Sequence, residues 1–325
     1  MKFRSLAALA IGLMLCPAAA SALELRVLSS WDQSYPPRPK LLEVFLKNVE
    51  TASKGDITFK ISGPETVPAF EQLQPVSTGV FQLLFTHGAY HAGQIPVLLA
   101  AEAFSGDLKK WRDTGVREEV DKYYQRVGLK LIALGQAPEG SAYQIILRQP
   151  VGPSGDLQGR KIRGTQTYSG VFSMLGASPV VLPPSEIYTA LEKGVVDGAA
   201  WPVLGVLDYR WYEVAKYLLR PTFGTVVYPI FMNLNAWNRL TDQQKQLMLS
   251  EGRKVEDMWF TEWVKLGDEE TRQLLSRGAQ ITEMGQAQRA KANKALADTL
   301  FQLGLQYNAK DVGELREFGK AKGLY

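Results

Sequence analysis

The sequence predicts an α/β protein of two lobes, built on mainly parallel sheets. Three observations point there. From Leu23 to Phe85, short apolar runs alternate with helically spaced apolar residues, a β-α-β-α-β series that favours parallel strands. A second such unit spans Gly159 to Val203. Between and after them come an apolar run from Thr225 to Leu234, able to cross back to the first lobe, and a long helical pattern from Asp242 to Arg277.

The chain opens with Lys2 and Arg4, an apolar core from Leu6 to Leu15, and the cleavage pattern Ala20-Ser21-Ala22. This reads as a signal peptide over 1–22, since the core is too short to span a bilayer and no stop-transfer pattern follows. Cys16 is the only cysteine and lies within it. The mature chain of 303 residues (325 minus 22) therefore has no thiol, which excludes thiol catalysis, disulfides and cysteine metal sites. Without Lys2 and Arg4, the charge balance is 35 basic (37 minus 2) against 33 acidic residues, scattered rather than blocked. No nucleic-acid footprint is present.

Leu23 to Leu28 alternates as a first strand, and Ser29 to Gln33 is a loop carrying Trp31. Pro36 begins a helix whose apolar face is Leu41, Leu42, Phe45, Leu46 and Val49, stopped by Gly55. Ile57, Phe59 and Ile61 form a second strand, followed by a short helix with Leu73 and Val76. Val80 to Phe85 is a third strand, apolar apart from Gln82 as buried parallel strands largely are, with Thr86 and His87 at its carboxyl end. Asp107 to Val127 reads as one amphipathic helix and Leu129 to Leu134 as a strand. Gly140-Ser141 marks a crossover, and Ala142 to Leu147 is the next strand. After the second α/β unit, Tyr209 to Leu219 reads as a helix, and the tail from Gln286 to Tyr325 is helical.

Catalytic constellations are scarce. His87 and His91 are the only histidines, and the H-E-x-x-H pattern, the G-x-S-x-G elbow and the P-loop are missing. Gly88 disfavours a helix carrying both histidines and no third ligand is evident, so no metal ion, cofactor or enzyme activity is expected. Arg163, at the end of the run Lys161-Ile162-Arg163, offers a planar fork suited to a carboxylate. Taken alone it reads as an exposed arginine beside a turn, and Trp201 as ordinary packing.

The motifs around them alter that reading. K-I-R (161–163), L-G-A-S-P-V (175–180), P-P-S-E-I-Y-T-A-L (183–191) and G-V-V-D-G (194–198) strongly resemble the substrate-binding proteins of tripartite ATP-independent periplasmic (TRAP) transporters, the DctP family. The resemblance covers the mature chain, including N-A-W-N-R-L (235–240) and the long helix. It implies a two-lobed periplasmic binding protein, type II-like, with mixed sheets, crossover strands and a long helix spanning the lobes. Lobe I would be 23–140 plus 228–268, and lobe II 141–227 plus 269–325. The protein would capture an organic acid by lobe closure and hand it to the membrane permease subunits, without itself being membrane-embedded. In this family the arginine of K-I-R pairs with the ligand carboxylate, which is Arg163 here. Relatives place a polar or cationic residue where Tyr143 stands, and often Glu where Ala200 precedes Trp201; some use such residues to hold a cation. These departures imply no metal ion. Phe85, Thr86 and His87 occupy cleft-lining positions in relatives, and Trp31 lies in a loop facing the cleft. With Tyr168, this is an aromatic set, which suits a monocarboxylate with an apolar or aromatic body. Glu186 and Tyr188 read as structural. A ligand-sensing partner of a signalling receptor, or a periplasmic hydrolase or lyase, are the alternatives.

Overall fold

A computed structural model describes residues 22–325. The expected signal peptide lies outside the described residues except for its last residue. Eleven strands form two mixed sheets, each covered by helices. The first sheet contains β1 (Leu23–Ser29), β2 (Ile57–Ser62), β3 (Leu83–Phe85), β4 (Leu129–Gln136) and, inserted from far along the chain, a strand at Val227–Asn233. The second contains β5 (Tyr143–Leu147), β6 (Lys161–Arg163), β7 (Ser178–Val180), β8 (Gly198–Pro202) and β9 (Tyr217–Phe223). With Val227–Asn233 as β10, β11 (Gln280–Glu283) completes the second sheet.

In the first sheet the order is β2-β1-β3-β10-β4, with β1 parallel to β2 and β3 while β10 runs antiparallel to both its neighbours. The second has the order β11-β9-β5-β8-β6-β7, with β6 parallel to β7 and β8, and β5 antiparallel to β8 and β9. The mainly parallel sheets that the β-α-β alternation suggests are thus mixed, as the family resemblance implies, because the strands that cross between lobes arrive reversed. Two such crossings, 137–142 and 224–226, lie side by side. Ala137 N–H donates to Val226 O at 2.9 Å and Gly140 N–H to Gly224 O at 2.7 Å. Two hydroxyls tie the strap further: Thr222 donates to Gly140 O and Thr225 to Ala137 O, each at 2.7 Å.

The helix Asp242–Ser276 begins with a capping box, Thr241 and Gln244 exchanging bonds with each other's backbone N–H. Its Glu256 is fully buried, accepts the Leu134 N–H at 2.8 Å and pairs with Arg112 at 2.6 Å, anchoring the helix to the first sheet. Four turns later Glu270 accepts the N–H groups of Gly205 at 2.8 Å and Leu207 at 3.0 Å, in the second lobe. The helix therefore grips both lobes.

Three sequence expectations differ from the structure. Asp107 to Val127 is two helices, Leu108–Thr114 and Val116–Arg126, because Gly115 between them takes a left-handed conformation at φ 84°. The third strand covers only Leu83–Phe85, and Val80 is half exposed. Tyr209 to Leu219 is a single 3-10 turn, Trp211–Glu213, followed by β9, whose buried Leu218 and Leu219 lie under the second sheet. In the tail, helix Ala292–Tyr307 packs on the second-lobe helix Ser169–Leu175. The last helix, Ala309–Ala321, instead joins the first lobe: Leu315 and Leu324 lie in its core, and Leu324 O accepts the Ser105 N–H at 2.8 Å. Grouping 269–325 as one block does not follow that packing.

Candidate functional site

Between the two sheets lies a cavity walled by Trp31, Tyr35, His87, Tyr90, Tyr143, Arg163, Thr165, Tyr168, Trp201, Pro202, Val226 and Tyr228. The space between these atoms is about 330 Å³, yet the room open to the centre of a water molecule is only about 20 Å³. That is space for a single water, so the walls nearly touch.

Arg163 ends β6, in register with Val180 on one side and Ala199 on the other. Gly164 follows because any Cβ there would lie 2.7 Å from the Phe172 ring and 2.8 Å from the Tyr168 ring. Contrary to what an isolated arginine suggests, the side chain is buried, with 1% exposed. Its Nε and Nη2 donate to Leu182 O at 3.0 and 2.7 Å, and Nη1 donates to Ala200 O at 3.3 Å. A guanidinium has five N–H groups. Three are used, leaving one on each Nη. No carboxylate within the described residues pairs with it, and its guanidinium carbon sits 5.2 Å from the Trp201 ring centre. Burial lowers its pKa from the usual value, with Tyr90 and Tyr168 opposing. The group still carries its proton at any physiological pH. This is a buried cation held in place by neutral acceptors, with donors to spare on both terminal nitrogens.

Tyrosines dominate the remaining walls. Tyr35 and Tyr228 share a 2.7 Å hydroxyl bond, Tyr35 lies edge-on to Trp201 at 5.4 Å, and Tyr143 meets Tyr168 edge-on at 5.1 Å. Trp31 donates through Nε1 to the Tyr90 hydroxyl at 3.2 Å. Desolvation raises the Tyr90 hydroxyl to about 12, while Arg163 and the Trp31 N–H oppose the rise. Burial likewise pushes Tyr143, Tyr168, Tyr35 and Tyr228 well up. All five remain neutral donors and acceptors.

On the side of the first lobe, His87 Nδ1 accepts the Ala89 N–H at 3.1 Å, so the neutral ring carries its proton on Nε2. That nitrogen is 3.1 Å from Glu102 Oε1 and 3.2 Å from the Tyr143 hydroxyl, which also reaches Glu102 Oε2 at 3.4 Å. The Glu102 side chain is 1% exposed, and Oε1 lacks a well-aligned donor. His91 turns away to Tyr124, at 2.8 Å. Among the described residues no three His, Cys, Asp or Glu side chains gather as a metal site.

Residues 29–303 match the family described as bacterial extracellular solute-binding protein, family 7, or DctP. The chain belongs to the DctP family. Its similarity to a solute-binding protein of Albidiferax ferrireducens is 26% identity over 234 residues, covering 67% of each chain. It is 28% identical over 250 residues to a monocarboxylate 2-oxoacid-binding periplasmic protein of Nostoc sp., covering 68% of this chain and 63% of that one. A solved TRAP periplasmic solute-binding protein from Desulfovibrio salexigens, with bound orotic acid, superposes with a TM-score of 0.80 at 22% identity, over 92% of this chain and 98% of that one. The two-lobed fold read from the sequence is therefore the DctP fold.

Of the residues singled out in this DctP sequence, Arg163, Trp201, Tyr143, His87, Trp31 and Tyr168 all line the one cavity. Phe85 and Thr86 lie behind it. Phe85 is fully buried, edge-on to Trp31 at 5.3 Å, and Thr86 accepts a bond from the Ser30 hydroxyl at 2.8 Å. Glu186 is exposed and Tyr188 donates to Glu213 at 3.2 Å; both border a separate outer hollow that reaches Trp31. Sequence reasoning passed over Tyr35, Tyr90, Tyr228 and Glu102. Tyr35 lies in a loop, Tyr90 ends a single 3-10 turn and Glu102 follows a short apolar helix, while the place of Tyr228 inside the apolar run of β10 was the one available signal.

Proposed function

We propose that this protein is the periplasmic solute receptor of a TRAP transporter, closing its lobes on a monocarboxylate with an apolar or aromatic body and passing it to the membrane permease. Arg163 carries the reading. A buried guanidinium without an acid partner, with one N–H free on each terminal nitrogen, is matched to a carboxylate accepting two parallel bonds. Trp201 stacks beneath it, Tyr143 and Tyr168 enclose the acid from the same lobe, and Trp31 and His87 close from the other. Thr86 and Phe85 hold Trp31 and the end of β3 in place. The lobes are taken as 23–140 with 228–268, and 141–227 with 269–325 less the last helix, hinged at the paired crossings. The names of two similar proteins support the ligand class: the Nostoc relative is a monocarboxylate 2-oxoacid binder, and the Desulfovibrio structure holds orotic acid, a ring with one carboxylate. No described helix is long and apolar enough to cross a membrane.

A thermal-shift panel of organic acids tests this. A cognate acid at 100 times its Kd stabilises the native state by about 2.7 kcal/mol. Arg163→Ala is expected to abolish the shift, since removing one partner of a buried ion pair costs about 3–5 kcal/mol. That variant also strands Leu182 O and Ala200 O and melts lower on its own; circular dichroism confirms that it is folded. Retained binding by the folded variant would refute the assignment.

A further inference from the structure

The central cavity around Arg163 has little open room, and a second chamber adjoins it. That chamber has room of about 240 Å³ and shares Tyr90 and Thr165 with the first as common walls. No charged residue lines it. Tyr90 faces both spaces: its hydroxyl takes the Trp31 N–H at 3.2 Å, while its ring meets Phe70 edge-on at 5.1 Å. Opposite stand Ala92, Leu99, Val181 and Leu303. The outer lip is closed by Tyr307, whose hydroxyl donates to Gln166 at 2.6 Å. The walls come from the loops after β3 (Ala92), from the segment after β7 (Val181), and from the tail helix (Leu303), so an occupant touches both lobes at once.

We propose that this second chamber receives the apolar tail of the same carboxylate whose head sits on Arg163, with the chain passing between Tyr90 and Thr165. The inference rests on the carboxylate-receptor reading above and narrows it to elongated acids. The apolar side chains Phe70, Ala92, Leu99, Val181 and Leu303 give a hydrocarbon tail its contacts, while no charged side chain is there to pair with a second ionised group.

Isothermal titration with propanoate and hexanoate, against wild type and Val181→Trp, tests the chamber. Val181 is 52% exposed, so the larger ring is tolerated by the fold while it fills the space. Three further buried methylenes predict that wild type binds hexanoate roughly fiftyfold tighter than propanoate. Val181→Trp should remove most of that preference and leave propanoate within about twofold of wild type. Equal affinity for the two acids, or equal loss of both in the variant, overturns the chamber while leaving Arg163 as the carboxylate site. Binding that survives Arg163→Ala, or no binding of either acid, overturns the head-group reading and the chamber with it.

Discussion

Two buried titratable residues give the stability a pH profile with opposing limbs. His91 is enclosed against Tyr124, and burial, aided by His87, lowers it to about 3. In the unfolded chain it titrates near 6.5, so the unfolded state takes up a proton that the folded state refuses. Its contribution is present above about pH 6.5 and is lost as pH falls toward 3. Glu270 behaves oppositely. Desolvation raises it to about 8 although the amides of Leu207 and Gly205 pull the other way. Here the folded state keeps a proton that the unfolded chain releases near 4.5, so its contribution is present below that pH and is lost as pH rises through 8. Melting temperatures followed across these limbs should flatten on the acid side in His91→Gln and on the alkaline side in Glu270→Gln. Curves parallel to wild type would reject the assignment. Legibility at this scale was uneven. Arg163, Trp201 and Tyr143 were findable because a long family motif fixes their place at strand ends. Tyr35, Tyr90 and Tyr228 were not: a tyrosine in a loop, a turn or an apolar strand carries the same local pattern whether it fills a core or lines a ligand space, and only the fold brings the three together. Glu102 was hidden for a related reason, since a single acid after an apolar helix reads as a solvent-facing end.

Among the elements, the long helix owes its position to a few close contacts. Gly252 passes so near β4 that a Cβ would lie 2.7 Å from Ile132 O, and Glu256 enters the first sheet beside it. Glu256→Ala takes a buried acceptor from Arg112 and the Leu134 N–H, while Asp257 still pairs with Arg112, for an expected loss of about 1–3 kcal/mol by urea unfolding. A loss under about 1 kcal/mol would mean that the helix is held by apolar packing alone. This helix was readable end to end, because its strong though imperfect apolar face is a local signal. The stretch from Tyr209 to Leu219 was not. Its spacing also fits a helix, and what makes Tyr217–Phe223 a strand is its pairing with β5 and β11, partners far away in sequence.

At the scale of the whole molecule, fold class, crossovers and sheet count were legible because β-α-β alternation and glycine-marked crossings leave local traces. The mixing of strand directions was legible only through the family resemblance, since direction in a sheet depends on which lobe a returning strand joins. That return has a further consequence. β10 lies inside the first sheet, between β3 and β4, and it is encoded after the whole second α/β unit. The first lobe therefore cannot finish folding as the chain emerges: its amino-terminal part must wait, with two strand edges open, until residue 233 is available. Such late, long-range closure is slow. A fragment ending at residue 140 is expected to lack cooperative unfolding by circular dichroism, and a chain ending after the long helix to regain it.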